Sequence, residues 1–341
     1  MADFVVFSDL HLHEWTYGAS YTESGFNSRL EAMKKSLLEM CDYCQENNII
    51  DILFCGDFFH TQSTLSVQAI QAAFQFFEKT RELGLNLHLL VGNHDVSDKK
   101  QAIHSLHMFK PYAHVIEEEE VFQMGRWTVA ALPFCEDEKK IKHFLNVIAP
   151  EAHFAIMHQG VKNVPMASGV ILNEILSENM IPESLVHCFV GHYHHHRKVN
   201  PHFTVVGSFT HQTWSDANSV RGFLHYKVDT NIVKLIETSA PKFFAFDYPN
   251  IDETKIRGNM IRVLNCPLEK IEDLQEMFRR QGALVVDFQS TETKESKEKR
   301  IENYYSLNLN SLISQFEKNL DEDRKKIGRA LREGTYEAIE V

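Results

Sequence analysis

The chain has no apolar run long enough to cross a membrane, few cysteines and a shortage of positive charge. None of its 341 residues starts a stretch of eighteen consecutive apolar residues, which excludes a transmembrane helix. The first ten residues lack a basic region and a small-residue cleavage site, so no secretory signal peptide is expected. These absences predict a cytoplasmic protein without a membrane partner.

The six cysteines are spread along the chain and lie mostly within apolar runs. Such scattered residues are typical of reduced thiols in a cytosol. Cys41 and Cys44 form a C-x-x-C spacing, but they sit in a helical pattern and no second pair accompanies them. This context favours two neighbours on a helix face over a metal or redox site.

Acidic residues outnumber basic ones by 47 to 35, which leaves a net charge of −12 at pH 7. This balance argues against a chain that binds nucleic acid by itself, although bound divalent ions or a basic partner would supply positive charge locally. Adjacent basic residues occur as isolated pairs, so no basic stripe marks a DNA track. No G-x-x-x-x-G-K-[ST] motif occurs either, so any ATP-gated activity requires a second chain.

Short apolar runs alternate with helical patterns up to residue 91, which predicts a layered α/β domain with buried strands. From about residue 115 short β-rich runs dominate, and they predict a second sheet packed on the first. A β–α–β pattern follows Pro241, then a polar segment without apolar residues, then helically spaced apolar residues. The expected divisions are 1–240 for the main domain, 241–289 for a small α+β domain, 290–302 for a linker and 303–341 for a helical tail.

Five of the predicted strands end in polar residues that can bind metals. The clusters are Asp9-Leu10-His11, Gly56-Asp57-Phe58-Phe59-His60, Gly92-Asn93-His94-Asp95, His158-Gln159-Gly160 and Gly191-His192-Tyr193-His194. Because the carboxyl ends of parallel strands meet at one edge of a sheet, these side chains are expected to converge there. One Asp-x-His pair is a weak signal of a metal site, but five clusters at strand ends predict one.

Seven of these residues are candidate ligands, which is too many for one tetrahedral ion. They are Asp9, His11, Asp57, Asn93, His158, His192 and His194. The number suits two ions with a central carboxylate between them. A mixed set of nitrogen and oxygen donors without thiolate favours Mn²⁺, Fe²⁺ or Zn²⁺ over Ca²⁺ or copper(I). Two ions about 3.5–4 Å apart would clamp the attacking and leaving oxygens of an in-line phosphoryl displacement.

The motifs D-x-H, G-D-x-x, G-N-H-[DE], H and G-H-x-H occur in this order over about residues 5–195. Their arrangement resembles the calcineurin-like metallophosphoesterase superfamily. The resemblance implies a two-sheet sandwich with α/β/β/α layers, and a metal-dependent phosphodiesterase activity. It also assigns four ligands to each ion, with Asp57 shared. The first set is Asp9, His11, Asp57 and His194, and the second set is Asp57, Asn93, His158 and His192.

The same resemblance implies that His94 is not a ligand. It would face the scissile phosphate and stabilise the transition state or protonate the leaving oxygen, with Asp95 orienting it. The segment Gly56–His60 lacks the second aspartate and the Arg-Gly pair of the protein phosphatases. It is similar instead to the DNA-repair nuclease branch, the SbcD-type subunit of the SbcCD complex and its phage counterparts. In that branch the histidine equivalent to His60 assists at the phosphodiester.

A second stretch agrees with this branch. Residues 206–208, 214–216 and 221–223 resemble its G-S-P, W-G-D and K-G-F region. Phe209 stands where the proline is usual, and Ala217 stands near an expected glycine, so the shape of the local loop is left open. The chain length, the β–α–β pattern and the helical tail resemble a short, phage-like member with a capping domain at 241–289.

The resemblance predicts a two-metal DNA exonuclease or endonuclease that acts in recombination and repair. Its cofactors would be two divalent ions. Mn²⁺ is the expected ion, and Mg²⁺, Fe²⁺ or Zn²⁺ are the alternatives. Its partners would be DNA and an SbcC-like, SMC-type ATPase docked on the 303–341 tail, within a heterotetramer built on a nuclease homodimer. The location would be the host cytoplasm if a phage encodes the chain.

Two other functions stay open at this point. A stand-alone metallophosphoesterase acting on a small nucleotide or another phosphodiester would use the same metals without a partner. A non-catalytic scaffold on the same fold is disfavoured, since scaffolds tend to lose metal ligands and this chain keeps all seven. The loop 14–29 is either a plain loop or a contact to a nucleic-acid end, where Tyr17 and Tyr21 would stack on bases.

Overall fold

The computed structural model describes residues 3–97, 103–166 and 169–290. Within them two six-stranded sheets pack face to face. The first sheet contains β1 (Phe4–Phe7), β2 (Asp51–Phe54), β3 (Asn86–Leu90), β4 (His114–Ile116), β11 (Gly222–Lys227) and β12 (Ile232–Glu237). The second contains β5 (Glu120–Met124), β6 (Trp127–Leu132), β7 (Phe154–His158), β8 (His187–Gly191), β9 (Arg197–Asn200) and β10 (Phe203–Val205). The helices are α1 (Ser28–Glu46), α2 (Val67–Glu82), α3 (Glu138–His143) and α4 (Leu268–Arg280).

The strand orders are β12-β11-β1-β2-β3-β4 and β5-β6-β7-β8-β10-β9. In the first sheet β1 to β4 are parallel, and in the second β6, β7, β8 and β10 are parallel. Helices α1 and α2 cover the outer face of the first sheet, and α3 covers the outer face of the second. The predicted α/β/β/α sandwich is therefore confirmed.

Strand β1 shows why the sequence reads as a continuous apolar run. Phe4 and Val6 point into the core between the two sheets, whereas Val5 and Phe7 point toward the helices. The ring of Phe4 meets that of Phe154 on the second sheet edge-to-face, with centroids 5.1 Å apart. A strand that is buried on both faces is apolar on both, so its sequence does not alternate between polar and apolar residues.

Helix α1 begins where the side chain of Asn27 accepts hydrogen bonds from the main-chain N–H groups of Arg29 and Leu30. Cys41 and Cys44 both lie on its buried face as free thiols, as the helical spacing predicted. None of the helices in the described ranges combines the length and the apolar character that a membrane crossing requires.

A third sheet holds β13 (Phe243–Asp247), β14 (Met260–Leu264) and β15 (Val285–Gln289), all parallel, and α4 lies between β14 and β15 in the chain. Helix α4 packs on this sheet around Ile261, Val263 and Phe278. This is the predicted β–α–β unit with one further strand. The expected tail 303–341 and all but the first residue of the expected linker 290–302 lie outside the described residues and stay predictions, as do the domain divisions.

Four strands and one helix were not predicted, each for a local reason. Strand β5 is an edge strand that buries only Met124. Strand β4 is only three residues long, and β9 is a polar edge strand whose sequence is RKVN. Strand β13 begins two residues after Pro241. Helix α3 is six residues long with a single buried side chain, so it shows no apolar period.

Arg29 holds the third sheet, the loop 14–29 and the main core together. Its guanidinium is buried and donates to the carbonyls of Tyr17 (3.2 Å), His211 (3.2 Å) and Gln212 (2.8 Å). It also lies 5.3 Å from the ring centroids of both Trp15 and Phe243. One buried cation thus satisfies three carbonyls that belong to two separate segments.

We expect Arg29→Met to lower the free energy of unfolding by about 2–4 kcal/mol, because three carbonyls then lose their donor in a buried place. Urea denaturation followed by tryptophan fluorescence measures the change. Arg257→Met is the control, since Arg257 is exposed, and it should shift the free energy by less than about 0.5 kcal/mol. Equal stability of the two variants would contradict the role given to Arg29.

Candidate metal centre

The ends of β1, β2, β3, β7 and β8 meet at one rim of the two sheets, and this rim carries all seven predicted ligands. Three groups of three residues form there, and within each the nitrogen or oxygen donor atoms lie within 4.8 Å of one another. The group His11, His60 and His94 includes two residues that were not predicted to be ligands, and the other two groups consist of predicted ligands only. One group is Asp9, His11 and His194, and the other is Asp57, His158 and His192. These two groups of histidine and aspartate side chains could bind two metal ions.

Asn93 belongs with the second group. Its Oδ1 lies 2.9 Å from Nε2 of His158 and 2.9 Å from Nδ1 of His192. The carboxylate of Asp57 lies between the groups, because its Oδ2 is 3.4 Å from Nε2 of His158 and 3.6 Å from Nε2 of His11. The structure therefore places the predicted bridging residue between the two predicted ligand sets.

Four of the candidate ligands adopt a left-handed backbone conformation. The φ angles are +49° at Asp9, +48° at His11, +65° at Asp57 and +100° at His192. Such angles in non-glycine residues cost on the order of 1–3 kcal/mol each and persist where the surroundings enforce them. Each strand turns sharply at its ligand, which lets side chains from different strands converge on a small space.

Two glycines make this close approach possible. A Cβ at Gly92 would overlap the main-chain nitrogen and the carboxylate of Asp57. Gly56 has φ +99°, and a Cβ there would overlap the ring of His158. Both glycines therefore have a steric reason to precede a ligand, because any side chain would push strands β2, β3 and β7 apart.

Two of the imidazoles have one nitrogen against a neighbouring group and the other nitrogen beside the carboxylate of Asp57. Nδ1–H of His158 donates to the carbonyl of Cys55 at 2.6 Å, which turns Nε2 toward Asp57 and Asn93. Nδ1 of His11 lies 3.4 Å from Nδ1 of His60, and its Nε2 is buried without a hydrogen-bond partner. A buried imidazole nitrogen without a partner is costly unless it binds something, which fits a metal ligand.

The charges at the site also fit bound cations. Burial lowers the pKa of His11 well below its usual range, and burial with the charge of His158 lowers the pKa of His192 to about 4. Neutral imidazole is the form that binds a metal. Burial alone would lower the pKa of His158 too, but the charge of Asp57 raises it to about 9. The buried carboxylate of Asp57 is thus stabilised by a positive charge beside it. No lysine or arginine among the described residues supplies that charge.

His94 and His60 lie together beside the two groups. The main-chain N–H of His94 donates to Oδ1 of Asp57 (2.8 Å), and Nδ1 of His94 lies 2.7 Å from the carbonyl of His60. The two rings are stacked with centroids 5.5 Å apart. Donation from Nδ1–H to this carbonyl leaves Nε2 of His94 as the nitrogen available to a substrate.

Asp95 does not orient His94 in the way that the sequence led us to expect. Its fully buried carboxylate accepts main-chain N–H groups from the loops after β2 and β3 instead. The donors are Asp57 (3.0 Å), Phe58 (3.0 Å), Phe59 (3.3 Å) and Gly92 (2.9 Å). The partner of His94 is the His60 carbonyl, so Asp95 acts on His94 only through the shape of these two loops.

Two aromatic residues at the site were missed in the sequence. The ring of Trp15 lies 4.5 Å from that of His60 between centroids, and the ring of Phe134 is stacked on His192 at 5.9 Å. Neither carries a chemical signal that a pattern would reveal. Tyr17 is packed at 6.4 Å from Phe243, whereas Tyr21 is 71% exposed, so the loop 14–29 lies between the site and the third sheet.

The stretch 206–223 makes hydrogen bonds to the main chain of two candidate ligands. The main-chain N–H of Ser208 donates to the carbonyl of His194 at 2.8 Å. A buried ion pair joins Asp216 and Arg221 at 2.8 Å, and the side-chain amide of Gln212 donates to the carbonyl of Asp9 at 3.0 Å. Phe209, which replaces the usual proline, is fully buried against Phe7.

The chain matches the family model described as calcineurin-like phosphoesterase over residues 2–223, and it belongs to that family. Family membership makes the protein a metal-dependent phosphoester hydrolase. The matched region includes both groups of candidate ligands together with His60, His94 and Asp95.

Individual relatives are more distant. Exonuclease subunit 1 of Enterobacteria phage T4 is 20% identical over 272 residues, which cover 76% of this chain and 77% of the phage protein. The uncharacterized metallophosphoesterase YhaO of Bacillus subtilis strain 168 is 30% identical over 128 residues, 36% of this chain and 31% of that protein. A crystal structure of a dimetal phosphatase from Danio rerio aligns with a TM-score of 0.37 and 10% identity over 66% of this chain and 91% of that one.

We expect Asp57→Asn to remove Mn²⁺-dependent hydrolysis of bis-p-nitrophenyl phosphate and to weaken the binding of both ions, because one carboxylate faces both groups. Isothermal titration with Mn²⁺ measures the stoichiometry and the affinity. Asp51→Asn is the matched control, since Asp51 lies at the other end of the same strand and contacts Asn86. Two ions bound with unchanged affinity in Asp57→Asn would refute the bridging role.

Proposed function

We propose that the protein is a two-metal DNA phosphodiesterase, the nuclease subunit of an SbcCD-like complex. The observation that carries this proposal is the likeness to a phage exonuclease subunit across about three quarters of both chains. That aligned length of 272 residues exceeds the region matched by the family model. The segment Gly56–His60, which lacks the additional aspartate and arginine of protein phosphatases, supports the same branch.

Asp9, His11, Asp57 and His194 would hold one ion, and Asp57, Asn93, His158 and His192 the other. The donor set of imidazole nitrogens and carboxylate or amide oxygens fits Mn²⁺ best, with Mg²⁺, Fe²⁺ or Zn²⁺ as alternatives. Two such ions, when bound, supply positive charge to both the attacking and the leaving oxygen of a phosphoryl displacement. The unpartnered Nε2 of His11 and the buried carboxylate of Asp57, which among the described residues has only imidazoles beside it as cations, support this assignment.

His94 is the proposed acid–base group of the reaction. Its main-chain N–H holds Asp57, and its ring is fixed by the His60 carbonyl, so the side chain is positioned before substrate arrives. Nε2 would donate a proton to the leaving oxygen or a hydrogen bond to a phosphate oxygen. His60 would assist at the same phosphate, with Trp15 holding its ring in place.

A stand-alone phosphodiesterase that acts on a small nucleotide is the second candidate, and the net charge of −12 favours it over a large polyanionic substrate. The two proposals differ in their response to substrate size. A small diester needs only the metal centre, whereas DNA needs further positive contacts on this chain or on a partner.

The deciding measurement compares single-stranded DNA with bis-p-nitrophenyl phosphate, each with and without Mn²⁺. We expect Mn²⁺-dependent hydrolysis of both substrates. His94→Ala should keep two bound Mn²⁺ ions and lose about 10²–10⁴ in rate, the usual contribution of one acid–base group. Hydrolysis of the small diester alone would favour the second candidate, and loss of metal from His94→Ala would make His94 a ligand.

A partner is the remaining part of the proposal. No P-loop motif is present in the chain, so an SMC-type ATPase would be a second protein. The segment 303–341 carries the helically spaced Leu307, Leu312, Ile313 and Phe316, which suit an amphipathic helix seated in a partner's groove. Two nuclease chains and two ATPase chains would form the complex in the cytoplasm.

Truncation after residue 289 should leave Mn²⁺-dependent cleavage of single-stranded DNA within about twofold of the full chain, because every proposed ligand precedes it. The same truncation should remove ATP-stimulated processing by the proposed SMC-type ATPase partner. Size-exclusion chromatography of the mixed proteins measures the docking directly. Continued co-elution of the truncated chain with the ATPase at micromolar concentration would refute docking through the tail.

A further inference from the structure

A groove in the described part of the chain runs along the free edge of the second sheet. It has a volume of about 990 Å³ and lies between the segments 162–164, 177–183 and 197–200. Strand β9 forms its edge, because this strand pairs with β10 alone. Three cations line the groove, namely Lys162, Arg197 and Lys198, and all three are exposed.

These three cations combine two features, since they lie together in one groove and, within the described ranges, no carboxylate pairs with them. Some other surface cations are paired, as Lys34 is with Glu31 at 2.7 Å and Lys79 with Asp42 at 3.0 Å. Two acids, Glu178 and Glu183, also line it. The carboxylate of Glu178 accepts a hydrogen bond from the side chain of Asn200 at 3.0 Å, which turns it toward a neutral partner.

Both walls of the groove continue directly from metal-centre residues. Lys162 follows His158 by four residues, so their Cα atoms are at most about 15 Å apart. Arg197 follows His194 by three residues, which limits that separation to about 11 Å. The groove therefore starts within a few nucleotides of the point where a phosphodiester would be cleaved.

We propose that this groove binds the sugar–phosphate backbone of a single-stranded polynucleotide whose scissile phosphate lies at the metal centre. The inference rests on the proposed DNA phosphodiesterase function and names a binding surface for it. Lys162, Arg197 and Lys198 each contact a phosphate within a few nucleotides of the scissile one. In a chain with net charge −12, a local group of unpaired cations gives the polyanion a place to bind without a basic stripe.

The test measures the salt dependence of binding by fluorescence anisotropy with a fluorescein-labelled oligothymidylate of about 20 nucleotides. All chains carry His94→Ala and are kept in Mn²⁺, so that the probe is not consumed. The test variant is Lys162→Ala/Arg197→Ala/Lys198→Ala. The control variant, Arg81→Ala/Lys227→Ala/Lys234→Ala, removes the same residue types and the same charge from other surfaces.

We expect the test variant to bind the probe at least about tenfold more weakly, with a slope of log affinity against log salt that is smaller by about 2. The control variant should keep the parent slope. A second variant, Lys162→Arg/Arg197→Lys/Lys198→Arg, should also keep it, because the positive charges remain. With His94 restored, the test variant should hydrolyse bis-p-nitrophenyl phosphate at the parent rate.

Equal slopes for the test and control variants would overturn the proposed groove. A parent chain without measurable affinity for the oligonucleotide would overturn it together with the DNA assignment. In that case, Mn²⁺-dependent hydrolysis of the small diester would still establish the phosphodiesterase, so the two failures are distinguishable. A smaller slope of log affinity against log salt in the charge-keeping variant would also overturn the proposal, since charge and not packing is the proposed cause.

Discussion

The buried carboxylate of Asp95 joins the ends of two neighbouring strands, and the rest of the site depends on this contact. Its two oxygens accept the main-chain N–H groups of Asp57, Phe58 and Phe59 after β2, and of Gly92 after β3. These bonds hold Asp57 in its left-handed conformation and bring Asn93 and His94 alongside it. Four main-chain donors converge on this one buried carboxyl group, so a strained turn can persist there.

Charge at the rim is arranged for a cation that the protein itself does not provide. Asp9 and Asp57 are fully buried, and histidines surround them. Among the described residues, the ion pairs of Asp57 are with the imidazoles of His11 and His158 and not with lysine or arginine. Buried carboxylates without a strong base are expensive in a folded chain, and bound divalent ions remove that cost. Stability and metal binding are therefore linked in this site.

The third sheet and the loop 14–29 extend the site outward. Arg29 joins the loop to the segment that follows β10, and Trp214 lies between the ring of Phe243 and the guanidinium of Arg262. Trp15, at the start of the loop, contacts His60. A substitution in this connection would reach His60 without touching a candidate ligand, because packed aromatic rings transmit small displacements.

The sequence by itself determined the sandwich, the five strand ends and the residue types that bind metal. Buried parallel strands produce apolar runs, and the ligands that follow them carry a recognisable chemistry. Tertiary structure alone decided what Asp95 contacts, which aromatic rings support His60 and His192, and where the unpaired cations near β9 lie. Those features depend on residues distant in the chain, and no local period or spacing encodes which of them meet. Short edge strands such as β4 and β9 also stayed hidden, since neighbours rather than their own side chains stabilise them.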